Sequence, residues 1–130
     1  MSQSRAGKRR ILGLPPHSVG IPLSRAIEKG GILSIAGIVP MDDMGEIHGS
    51  LEEQTHNILG RFRVLVKEAG GGMDDIVSVR VYISRPEDYA PMNDVYGTYF
   101  IEPYPARSCV VVGFVNPACR VVMEAVAILG

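Results

Sequence analysis

Two cysteines and three histidines in 130 residues leave little material for disulfide or metal chemistry. Cys109 and Cys119 make no disulfide framework and lack zinc-site spacing. His17, His48 and His56 are scattered, with no His-x-x-x-His pair, so no metal and no cofactor is expected. Strong charge of one sign is missing too. Thirteen Lys and Arg face fourteen Asp and Glu, a net charge of −1, which argues against a general polyanion binder. The one basic cluster, Arg5, Lys8, Arg9 and Arg10, precedes any periodic pattern. It suits contact with nucleic acid or acidic lipid less well than a flexible, solvated N-terminal arm over residues 1–18. No apolar run follows it at signal-peptide length, and none elsewhere approaches a membrane span. A soluble, cytoplasmic protein without nucleic-acid or membrane partners is expected.

What remains is enough for one domain, residues 19–130, that buries roughly two-thirds of its unfolded surface. Strand character runs from Ile21 to about Ile27 and from Ile32 to Val39, with Gly30-Gly31 as the hairpin turn. Met41 to Gly49 is turn-rich, with room for a short strand near Ile47. Ser50-Leu51-Glu52-Glu53 is a capping-box pattern that starts a helix. Leu51, Thr55, Ile58, Leu59, Phe62, Leu65, Val66 and Ala69 give it one apolar face, and Gly70-Gly71-Gly72 its exit. Gly60 in the helix interior, at about 1 kcal/mol, hints at close packing. Ile76 to Ser84 reads as a strand with Val77, Val79, Val81 and Ile83 on one face. A second helix is expected from between Asp88 and Pro91 to about Phe100, with Met92, Tyr96, Tyr99 and Phe100 inward. Two strands follow, about 106–113 and 120–129. The order predicts an α+β fold: one mixed sheet with two helices on one face. Val110–Val112 and Val121–Met123 are apolar in both registers, so both strand faces call for burial and an oligomer is expected.

Pro105-Ala106-Arg107-Ser108-Cys109-Val110 places one arginine in an otherwise small or apolar run. Desolvating an unpaired guanidinium costs several kcal/mol, so something must pair with Arg107. A small carboxylate ligand suits its planar fork. An internal Arg–carboxylate pair that only holds the fold accounts for the spacing equally well.

This motif, with Val110-Val111-Val112-Gly113 and the terminal Val121-Val122-Met123-Glu124-Ala125-Val126-Ala127, resembles the RidA (YjgF/Rid) family. The resemblance extends through Leu33-Ser34-Ile35-Ala36-Gly37-Ile38-Val39, Gln54-Thr55-His56-Asn57-Ile58-Leu59 and Asp75-Ile76-Val77 with Tyr82-Ile83. Met92-Asn93-Asp94-Val95-Tyr96 with Tyr99-Phe100 completes it, over about residues 20–129. It implies the chorismate-mutase-like fold of that family, assembled as a trimeric barrel with clefts between subunits. It also implies hydrolysis of reactive enamines and imines to ketones and ammonia, a form of metabolite damage control.

In the family the matching arginine holds the substrate carboxylate, which assigns that role to Arg107. A backbone N–H near the motif cysteine assists, so Cys109 acts through its main chain; no histidine is placed to activate its thiol. Asn93 matches a ligand-bonding asparagine, or serves as a helix-start residue. Three positions depart. The family's water-orienting glutamate aligns with Val122, its first-strand tyrosine with Leu23, and the serine before Gly37 with Ala36. Glu124 is expected to be a structural partner, for Arg80 or Arg120. The replacements predict a more apolar pocket for a bulkier carboxylate. Two functions therefore stand: an enamine/imine deaminase, or a non-catalytic trimer binding a small carboxylate or a partner protein in the same clefts. The ribonuclease label attached to the family finds little support in a near-neutral chain without a basic stripe or aromatic platform.

Overall fold

A computed structural model describes residues 7–130, so Arg5 of the basic cluster lies outside the described residues. The elements are β1 (Arg9–Ile11), β2 (Ala26–Lys29), β3 (Ile32–Ile38), α1 (Leu51–Glu68), β4 (Ile76–Ile83), α2 (Tyr89–Tyr96), β5 (Ala106–Val111) and β6 (Val121–Ile128). They form one sheet in the order β1-β2-β3-β6-β4-β5. Only the β4–β5 pair is parallel, and α2 lies in the crossover between them. The mixed sheet with two helices on one face is as expected: Phe62 and Leu65 of α1 and Met92 of α2 share one core with Leu33, Val81 and Met123.

α1 forms as its sequence dictates. Ser50 Oγ accepts from Glu53 N–H at 3.1 Å while Glu53 Oε1 accepts from Ser50 N–H at 2.8 Å. At the far end Gly71 N–H donates to Val66 O at 2.8 Å and Gly70 N–H to Lys67 O at 3.0 Å, with Gly70 at φ +98°. This is a Schellman exit, which glycine adopts without a Cβ penalty. Ile58, Leu59, Phe62, Leu65 and Val66 are buried, each contributing about 1.5–3 kcal/mol.

Within the described residues, from 7 on, the arm expected over 1–18 is corrected. Arg9–Ile11 pairs with β2, and Ile11 is only 2% exposed in the core. Two of the basic residues there, Arg9 and Arg10, bond within the fold, Arg10 Nε donating to Ser24 Oγ at 3.1 Å. Arg9 Nε meets Glu28 Oε1 at 3.2 Å, and its Nη2 donates to Ala69 O at 3.0 Å, beside the negative end of α1. Glu68 accepts from the N–H groups of Leu12 and Gly13, both at 3.1 Å. Gly13 must be glycine: its φ is +69°, and a Cβ would stand 2.7 Å from Leu65 Cδ2.

Smaller corrections have local causes. β2 begins only at Ala26, because Leu23 N–H folds back on Ile21 O at 2.8 Å and turns that segment into a loop. Met41 and Ile47 make an isolated bridge rather than a strand. A register shift between Ile76 and Ser78 turns Val77 out to 46% exposure and Ile76 in. Gly60 has nothing within 4 Å of a would-be Cβ, so close packing does not explain it. α2 ends at Tyr96, short of Phe100, although Phe100 is still buried.

Candidate functional site

β5 is an edge strand. Arg107 and Cys109 pair with Val79 and Val81, whose side chains are buried toward the helices. Residues opposite each other share a sheet face, so Arg107 and Cys109 also point to the helix side. The backbone alternates too. Val112 N–H donates inward to Ile83 O at 2.9 Å, so two-residue periodicity sends the N–H groups of Arg107 and Cys109 off the free edge.

Arg107 meets α2 there. Its guanidinium carbon lies 4.8 Å from the Tyr96 ring centroid and 5.6 Å from that of Tyr89. Nη2 donates to Tyr89 Oη at 3.2 Å, and Nη1 approaches Met92 Sδ at 3.9 Å. Aromatic faces attract the cation but leave its fork unfilled. Among the described residues no carboxylate pairs with Arg107. The internal ion pair is therefore excluded there. Asn93 Oδ1 and Tyr96 Oη, on the same helix, are buried without hydrogen-bond partners. Burial pushes the Tyr96 hydroxyl up to about 12, against a smaller opposing pull from Arg107, so it stays a neutral O–H. Burial likewise raises the Cys109 thiol, with Arg107 the lesser, opposing influence. That is the reverse of what a nucleophilic thiolate needs.

The other predicted residues sit elsewhere. Val122 of β6 is opposite Tyr82, on the sheet face away from the helices. A Cβ on Gly37 would touch Val122 Cγ1 at 3.4 Å. Leu23, 51% exposed, joins Ala36, Gly37 and Met41 around a cavity of about 140 Å³. β6 and β4 separate β3 from β5, a span of about 14 Å at ~4.8 Å per strand. One chain therefore brings Arg107, Cys109 and Asn93 together, and separately Leu23, Ala36, Gly37 and Val122, but not the two groups with each other. Glu124 accepts from Tyr82 Oη at 2.5 Å, so its partner is a tyrosine rather than Arg80 or Arg120. The same bond raises the Tyr82 hydroxyl.

Two residues beside the second group went unnoticed in the sequence. Arg25 and Arg61 line the cavity, so beside the apolar Leu23 and Ala36 it carries two cations that the expectation of a more apolar pocket did not include. Their signal was faint: Arg61 sits one position before Phe62 on a helix rich in charge, where an arginine reads as a solvated residue.

Comparison with known proteins decides the family. The endoribonuclease L-PSP family profile matches residues 16–129. A RutC family protein of Pyrococcus abyssi is 39% identical over 114 residues, covering 86% of this chain and 89% of that one. The chain belongs to the RidA/YjgF family. Another RidA/YjgF relative, the 3-aminoacrylate deaminase RutC of Acinetobacter baylyi, is 32% identical over 115 residues, 87% of this chain and 89% of that one. A solved Rid-family protein from Yersinia pestis superposes with a TM-score of 0.86 at 30% identity, covering 95% of this chain and all of the other. Within this RidA/YjgF frame a general deaminase-like role is supported, and no helix among the described residues is long and apolar enough to cross a membrane.

Proposed function

We propose that this chain hydrolyses reactive 2-imino and 2-enamino carboxylates to 2-oxo acids and ammonia, in the cytoplasm, as a homotrimer. The observation that carries the reading is Arg107: half-buried, held between two tyrosines, and with no carboxylate of its own among the described residues. Its free N–H groups would take the substrate carboxylate in two parallel bonds. The outward N–H of Cys109 would add a third donor, and Asn93 would orient the nitrogen end. An enamine first takes a proton at C3 to become the imine. Water then adds across C=N, oxygen to C2 and proton to nitrogen. The resulting carbinolamine loses its hydroxyl proton to the departing nitrogen as the C–N bond breaks, which releases ammonia and leaves the 2-oxo acid.

Assembly follows from the same geometry. Arg107 and Cys109 face the helices on β5, whereas Val122 faces away from them and Ala36 and Gly37 lie three strands off on β3, so a cleft shared by both groups needs a second subunit. The helix-free face supplies the means, since Val110, Ile32 and Ile128 stand exposed on it, and burying such surface yields about 25 cal/mol per Å². Light scattering on the purified chain should give three times the monomer mass.

Val122 tempers the rate. A general acid or base contributes about 10²- to 10⁴-fold, so turnover should be slow but above the buffer rate. The test generates several 2-imino acids in situ with an amino-acid oxidase and follows their loss with and without this protein. No acceleration with any of them removes the deaminase reading. It would leave the alternative that Val122 favours, a trimer that binds a small carboxylate without turning it over.

A further inference from the structure

The cavity beside Leu23, Ala36 and Gly37 holds two arginines that meet on one oxygen. Arg25 Nη1 donates to Leu14 O at 2.5 Å, and Arg61 Nη1 donates to the same oxygen at 3.3 Å. Arg25 Nη2 bonds Pro16 O at 2.5 Å. Arg61 reaches Asn57 Oδ1 through Nε at 3.1 Å and Met41 O through Nη2 at 2.5 Å. Every one of these acceptors is neutral. Among the described residues neither guanidinium has an ion-pair partner, although Arg61 is only 6% exposed. Asp42 and Asp43 act on Arg61 only from a distance. Asp42 is also engaged, by His48 Nε2 at 2.9 Å and by the N–H groups of Met44 and Glu46, each at 2.9 Å.

Two like charges side by side in a poorly solvated place disfavour one another. Carbonyl dipoles offset part of that, and a counter-anion would offset the rest. Each fork carries five N–H bonds, of which Arg25 has three and Arg61 two without an acceptor among the described residues. Charge-assisted bonds to a carboxylate are the strong use for such donors. The cavity they line, about 140 Å³, has room for several waters or one small acidic group.

We propose that Arg25 and Arg61 form a second anion subsite, so that the cleft takes 2-imino acids carrying two carboxylates. Arg107 of one subunit holds the carboxylate next to the imine, and the arginine pair of the neighbouring subunit holds the distal one. This rests on the deaminase reading and on the shared cleft, since Leu23, Ala36 and Gly37 are assigned to that cleft by the family resemblance.

The experiment measures binding by calorimetry, using stable 2-oxo acids of equal chain length: 2-oxoglutarate and 2-oxopentanoate. The wild-type trimer should prefer the dicarboxylate by about 10- to 100-fold, the worth of one charge-assisted contact. Arg25→Gln should shrink that preference to about 2-fold or less. Arg61→Lys, which keeps the charge and loses the fork, should fall between. Arg107→Ala should weaken both acids. Equal affinities in wild type, with both still dependent on Arg107, overturn the subsite and leave the deaminase reading standing. Binding of both acids that ignores Arg107, or binding of neither, overturns the two readings together. The wild-type preference is decisive by itself if Arg25→Gln fails to fold.

Discussion

Arg107 and Arg120 lie thirteen positions apart in sequence and are put to opposite uses. Arg120 grips Asp88 with both arms of its fork, Nη2 to Oδ1 at 2.7 Å and Nε to Oδ2 at 3.2 Å. Asp88 is only 3% exposed, and its hydrogen bond is the leading reason that the Arg120 guanidinium is held more firmly charged. That pair ties β6 to the start of α2. Arg107, against the same helix, has two aromatic faces and a sulfur for company but, among the described residues, no anion. A fork already filled by the protein belongs to the fold, whereas a half-buried fork left open points to a ligand.

Breaking each arginine should separate the two uses. The largest effect is expected at Arg120→Ala, which leaves buried Asp88 with only the more distant Arg85 Nε, at 3.9 Å, and no side-chain hydrogen bond. Chemical denaturation should show a loss of about 3 kcal/mol. A loss below about 1 kcal/mol would show the pair to be a solvated surface contact. Arg107→Ala should do the reverse. Thermal unfolding should move little, while kcat/KM for imine hydrolysis falls by about 10- to 150-fold, equivalent to about 1.5–3 kcal/mol.

A subtler change sharpens the open site. Val122→Glu restores a carboxylate near Gly37 and should raise turnover by about tenfold or more if a water-orienting group is all that is absent. No gain would mean that the cleft has been reshaped for binding alone. The smallest effect is expected at the cysteine. With its pKa raised by burial, Cys109 is the neutral thiol below the ordinary range and yields thiolate only at higher pH. Iodoacetamide should therefore modify it more slowly at pH 8 than a free thiol, with a rate that climbs later as pH rises. Modification as fast as that of a free thiol would contradict the packing described.

The elements that local chemistry controls were legible in the sequence. The box at Ser50 and Glu53, the glycines after Ala69 and the alternation through Val79, Val81 and Ile83 each act within a few residues. β1 was not legible, because Arg9-Arg10-Ile11 is too short and too charged to show a period. It becomes a strand only when Glu28, Glu68 and the end of α1 arrive from far along the chain. The site was legible by halves. Arg107, Cys109 and Asn93 assemble within one chain because β5 and α2 are neighbours. That Ala36 and Val122 lie on strands not adjacent to β5 depends on strand order, which periodicity does not encode. Arg25 and Arg61 escaped notice because their meeting point is a carbonyl of Leu14, on a segment that reads as irregular.

The most direct test of the open-fork account is a calorimetric titration of a 2-oxo acid into wild type and into Arg107→Ala. Saturable binding to wild type that weakens by at least about tenfold in the variant is the predicted result. Equal affinity in both proteins would contradict it and would leave Arg107 as an arginine stacked on two tyrosines and nothing more.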